Sequence, residues 1–155
     1  MIDFGKLPTT IAIVGSRSFE DDKITAITMK RLVYRFVRQT HKETQIVSGG
    51  ARGVDRYARL AALTLQREIK EFLPDESIPV PARFFVRNRE IVDYIYERKG
   101  LIVAFIDTTS FRGTKRTIEY AKKKGVGVVV LKFSPDAQYQ GVEYHGNIYQ
   151  EHSSV

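Results

Sequence analysis

The sequence predicts an α/β fold: a doubly wound, mostly parallel sheet of five strands with helices on both faces. Three observations lead there. Short apolar runs recur, three of them stopped by glycine or proline, amphipathic helical stripes lie between them, and the two kinds of segment alternate five times. The runs at 11–14 and 45–47 end at Gly15 and at Gly49 and Gly50, and the runs at 101–106 and 126–133 have the same continuous apolar character. Such runs suit strands buried on both faces. A shorter run at 69–73, stopped by Pro74, supplies the fifth strand.

The helices follow from spacing. Over 22–40, Ile24, Ile27, Val33, Phe36 and Val37 recur at helical spacing; over 54–65, Val54, Tyr57, Ala58, Ala61, Ala62 and Leu65 form a stripe. A third helix is expected over 87–99, with Ile91, Val92 and Ile95 inward and Gly100 at its end. The fourth spans 114–124, opening on Thr114 as N-cap and closing at Gly125 after lysines that complement the helix dipole.

At 155 residues and 43% hydrophobic content, the chain is one folding unit with enough apolar side chains for a core. Cysteine is absent and only His41, His145 and His152 are present, widely spaced, so disulfides are excluded and no metal site is expected. No apolar run approaches the roughly 20 residues that cross a bilayer, so a cytoplasmic protein without a membrane partner is expected. The net charge is +7; the segment from Ser134 holds three acidic residues and no Lys or Arg, leaving +10 on residues 1–133. That field favours anionic partners.

In α/β sheets ligands bind beyond the carboxyl ends of the strands, where the strand order reverses. The segments there are Gly15-Ser16-Arg17, the stretch GGARGVD from Gly49 to Asp55, VRNRE at 86–90, and FRGT at 111–114. Gly49, Gly50 and Gly53 permit positive φ and close backbone approach at a helix start, the pattern of an anion cradle. A β-carbon at Gly50 or Gly53 is expected to enter the space of a bound phosphate. Ser16 can donate to a phosphate oxygen and Arg17 can clamp one bidentately. In VRNRE successive residues point about 100° apart, so at most two share a cleft; Arg87 and Asn88 are assigned to it, Arg89 and Glu90 to solvent. No Ser, His and Asp set presents itself for nucleophilic catalysis.

Taken together, IAIVGSRSF, IVSGGARGVDRYA, RNREI and the late strand followed by Gly113-Thr114 resemble the SLOG superfamily, named for DNA-processing protein A and the LOG phosphoribohydrolases. The spacing is most similar to the small stand-alone YspA-like type, over about residues 11–133. The resemblance implies a Rossmann-like sheet of order 3-2-1-4-5, a domain over 1–133, and a tail over 134–155 packed on the domain or on a partner chain. It implies a nucleotide or nucleotide-derived ligand, such as a nucleoside monophosphate or an ADP-ribose or NAD-like compound, bound in a sensor or carrier role by a homodimer, with no further cofactor required. Residue by residue it assigns Gly49, Gly50, Ala51, Arg52, Gly53, Gly113 and Thr114 to phosphate, and Gly15, Ser16 and Arg17 to the neighbouring ribose or phosphate. Arg87 and Asn88 match the family's RN positions, and Asp55 its acidic position, where a carboxylate could activate water at an N-glycosidic bond.

Two departures bear on activity. The LOG enzymes carry P-G-G-x-G-T-x-x-E, whose glutamate serves hydrolysis; here Thr117 stands in its place, and Glu119 falls on a different side of the helix. The RNREI stretch resembles DNA-processing protein A, so a single-stranded nucleic-acid-binding module is the alternative, and a LOG-like phosphoribohydrolase a further one. Only Phe84 and Phe85 offer aromatic stacking near these motifs.

Overall fold

The structure, a computed structural model, describes residues 2–150; Glu151 and His152, with the rest of 151–155, lie outside the described residues. In chain order the elements are β1 (Thr10–Gly15), α1 (Lys23–Gln39), β2 (Gln45–Ser48), α2 (Val54–Thr64), β3 (Ile69–Glu71), α3 (Ala82–Glu97), β4 (Leu101–Asp107), α4 (Arg112–Lys124), β5 (Gly127–Phe133) and β6 (Tyr139–His145). The sheet order is β3-β2-β1-β4-β5-β6. The first five strands are parallel, in the expected order 3-2-1-4-5. The expectation of five strands is corrected to six, because β6 adds antiparallel to β5 at the edge. Its sequence, YQGVEYH, has no apolar run, since an edge strand covered on little of its surface needs none.

Successive residues of the central strands feed two separate cores, as the two-residue period of a strand requires. Ile11, Ile13, Leu101, Val103 and Phe105 pack with Met29, Val33 and Phe36 of α1 and Tyr57 and Ala58 of α2. Ala12, Val14, Ile102, Ala104 and Val128 pack on the other face with Ile91, Val92 and Ile95 of α3 and Ile118 and Ala121 of α4. Phe105 bridges aromatic neighbours in the first core, stacked on Phe133 at 6.1 Å and edge-on to Phe36 at 5.9 Å.

Helix ends follow local chemistry with two corrections. The Asp22 carboxylate caps α1 by accepting the Thr25 N–H at 2.9 Å, and α4 ends at Gly125 with φ +83°. However, α3 begins at Ala82 and not at Arg87, so Arg87 and Asn88 lie in its second turn and not at its start. Phe111, not Thr114, occupies the N-cap position of α4, which puts Gly113 and Thr114 in its first turn. Both shifts lengthen helices that border the point where the strand order reverses, between β1 and β4.

Candidate anion-binding cleft

At the carboxyl ends of β1 and β2 a cleft of about 690 Å³ opens between the loop after β2 and the starts of α3 and α4. That volume lies within the range of roughly 300–1,000 Å³ typical of small-molecule sites. Its floor is organised by Asp55, in the first turn of α2 and only 7% exposed. Oδ2 of Asp55 accepts the Ala51 N–H at 3.2 Å, and the Gly49 amide also stabilises the carboxylate. The Ser48 hydroxyl donates to the Asp55 carbonyl at 3.1 Å and accepts the Gly50 N–H at 3.3 Å. The glycine loop is thus wrapped around its own carboxylate, and its first amides are turned inward.

Arg87 reaches this loop from α3. Also 7% exposed, it donates from Nη1 to the Gly49 carbonyl and from Nε to Oδ1 of Asn88 at 2.8 Å. A β-carbon at Gly49 would stand 2.9 Å from both Arg87 Nη1 and Asp55 Oδ2, so the loop can pass between the two charges only as glycine. Burial pushes the Asp55 carboxyl up to about 6, against the opposing pull of Arg87, the Ala51 and Gly49 amides and Arg17. Burial likewise lowers Arg87 from its usual range, with Asp55 acting against that and Arg17 adding to it.

Residues 2–70 match the family model described as DNA recombination-mediator protein A. Among solved structures, the X-ray structure of DNA processing protein A from Streptococcus pneumoniae superposes with a TM-score of 0.55 at 21% identity, covering 79% of this chain and 49% of that one. The chain is similar to DNA processing protein A. It spans about half the length of that structure, and no curated protein matches the sequence. The family match includes β1, β2 and the glycine loop of this DNA-processing-protein-A-like domain, and ends before α3 and α4.

Of the expected site residues in this domain, Gly15, Arg17, Gly49, Gly50, Ala51, Arg52, Asp55, Arg87, Asn88, Gly113 and Thr114 all line the cleft. Ser16 and Gly53 do not. Ser16 is 2% exposed, and its Oγ accepts the Asp107 N–H at 2.9 Å, tying β1 to β4. Asp107 in turn accepts the Ser18 hydroxyl at 2.8 Å and the Thr109 N–H at 2.9 Å, so it closes its strand and stays out of the cleft. A β-carbon at Gly53 (φ +79°) would lie 2.6 Å from the Ser16 carbonyl, and one at Gly50 would meet Leu73 at 2.9 Å. The expectation that both would intrude on a ligand is corrected: each meets protein first.

The cations left open to the cleft are Arg17 at the end of β1 and Arg112 and Arg116 on α4, all exposed and without an ion pair among the described residues. Arg52, by contrast, is tied to Asp21 at 3.1 Å. Phe84 and Phe85 supply the apolar wall, and the Arg116 guanidinium lies 4.3 Å from the Phe85 ring centre. Sequence reasoning passed over Arg112 and Arg116 as site residues. Their signal was electrostatic: cations at a helix start oppose its dipole, and α4 has no acidic residue in its first turn to offset them. Thr117 is buried at the cleft wall, its hydroxyl donating to the Gly113 carbonyl at 3.3 Å, while Glu119 lies outside the cleft.

Proposed function

We propose that the cleft binds a nucleotide-type anion, with Arg17, Arg112 and Arg116 meeting phosphate and Phe84 and Phe85 accommodating the base. The observation that carries this reading is the convergence of three guanidinium groups without an ion pair among the described residues, brought from the turn after β1 and from α4, on a cleft whose one lining carboxylate among the described residues is buried beneath its loop. Guanidinium groups suit phosphate because their fork of donors matches its oxygens. Asp55 and Arg87 act as positioning residues for the glycine loop. The role is binding, as a sensor or carrier, because Thr117 occupies the place of the LOG glutamate and Asp55 already serves the loop amides.

Titration calorimetry with AMP, NAD, ADP-ribose and thymidine monophosphate tests this. Arg17→Ala and Arg116→Ala should each weaken binding by about 1.5–3 kcal/mol, the usual loss for a charge-assisted bond. Arg38→Ala, at the far end of α1, should leave it unchanged. Equal losses in all three would mean a diffuse basic field and no site.

A second reading, single-stranded DNA as the ligand, is favoured by the similarity to a DNA recombination mediator and a DNA processing protein. Salt separates the two readings. Each phosphate neutralised on a single strand contributes a slope of about −0.7 in log K against log salt, so a strand loses affinity steeply and a mononucleotide little.

A further inference from the structure

On the sheet face opposite α3 and α4, a groove of about 570 Å³ runs between α1 and α2. It shares no lining residue with the cleft. Its apolar lining comes from Ile27 and Tyr34 of α1 and Leu60 and Ala61 of α2, and its charged lining is Lys30, Arg31, Arg35 and Arg38. We propose that this groove docks an acidic amphipathic helix of a partner protein, its apolar side chains laid on Ile27 and Leu60 and its carboxylates set against the cations of α1.

Charge complementarity selects the occupant. α1 carries Lys23, Lys30, Arg31, Arg35 and Arg38 and no Asp or Glu, whereas a solvated helix face ordinarily mixes both signs. The four cations in the groove have no ion pair among the described residues, and no carboxylate lines it there. The arginines of α2 show the contrast: Arg56 is paired with Glu20, and Arg59 with Glu71 at 3.1 Å. Only Arg38 stands in the last turn of α1, where the helix dipole alone explains a cation. The apolar lining excludes a partner that is merely charged. Ile27 and Leu60 are 45% and 39% exposed, and Ile24 and Leu63, one turn away on the same two helices, are more exposed still. A bare polyanion would answer the cations and leave these side chains in water. A second copy of this chain would set cations against cations across a two-fold axis. Geometry selects a helix. The α1 side of the groove, from Ile27 to Arg38, is about 16 Å long at 1.5 Å per residue, or three helical turns. The backbones of α1 and α2 are bonded internally over this span, so an extended segment gains no main-chain partner, while a helix satisfies its own and packs its ridge between the two.

The test is fluorescence anisotropy with two labelled peptides of about four helical turns, stapled in helical form. One has leucines at i, i+3, i+4 and i+7 flanked by glutamates; the other has the same composition with the stripe scrambled. Each is titrated with the wild type, with an Arg31→Gln, Arg35→Gln double variant and with Leu60→Gln. All three substituted side chains are exposed, so the variants retain the fold, which their unfolding midpoints verify. The patterned peptide should bind the wild type about tenfold more tightly than the scrambled one, the scale of one well-seated interface anchor. The double variant should weaken both peptides, and Leu60→Gln should remove the advantage of the patterned one alone. Equal binding of the two peptides, binding of neither, or a patterned peptide indifferent to Leu60→Gln overturns the docking site. A thymidine oligonucleotide or a phosphatidylserine vesicle that binds more tightly than the patterned peptide, through the same two arginines, makes the groove a general polyanion or membrane surface and overturns the helix assignment. A wild-type dimer in sedimentation that Leu60→Gln dissociates gives the groove to a second copy, with the same consequence. None of these outcomes bears on the cleft, which is built from other residues.

Discussion

Asp55 offers the sharpest test of how the site is built. It sits beneath the glycine loop, 7% exposed, with the Ala51 amide on one oxygen and Arg87 nearby. Burial outweighs these partners, so the folded carboxyl titrates near 6, against an ordinary value of 3.8. A carboxyl raised on folding stabilises the native state when protonated. Its contribution is therefore complete below pH 3.8 and is lost as the pH rises through about 6. About two pH units at 1.36 kcal/mol each come to about 3 kcal/mol. Urea unfolding of the wild type and Asp55→Asn across this range isolates the effect, because other titrating groups cancel in the difference. Asparagine offers the loop amides one acceptor fewer, an offset equal at every pH that leaves the slope untouched. The wild type should lose about 3 kcal/mol relative to the variant between pH 3.8 and about 6, then run parallel to it. A flat difference, or one that grows with pH, would mean that Arg87 and the amides outweigh burial, and the account of the loop would be wrong.

Two glycines should respond in opposite directions to the same change. Gly53→Ala places a β-carbon 2.6 Å from the Ser16 carbonyl at φ +79°, and should cost at least about 2 kcal/mol in thermal unfolding. Gly113→Ala, in the first turn of α4 with nothing within 4 Å of the new carbon, should gain up to about 1 kcal/mol; a reversed order would remove the backbone argument. Ser16→Ala leaves the buried Asp107 amide without its acceptor and should cost about 1–3 kcal/mol, so an unchanged denaturation midpoint would place the value of Ser16 elsewhere, with a ligand.

The sequence by itself determined the alternation of strands and helices, because burial on two faces demands unbroken apolar runs and burial on one demands a helical stripe. β1, β2, β4 and β5 and the inward faces of α2 and α3 were legible for that reason, whereas in α1 only Val33, Phe36 and Val37 of the expected stripe are buried: Ile24 and Ile27 lie on the exposed side and Met29 faces the core in their place. The glycine loop was legible too, since its positive φ angles at Gly50 and Gly53 admit few other residues. The start of α3 was hidden because Phe84 and Phe85 follow prolines that suggest a loop, and β6 because an edge strand satisfies its backbone on β5 without an apolar signature. What the loop amides serve was decided only by the tertiary structure. Whether they face a ligand or a carboxylate depends on how Asp55 is buried and on Arg87 arriving from a distant helix, and a buried charge is satisfied by whatever group the fold brings within a few ångströms, not by its neighbours in the chain.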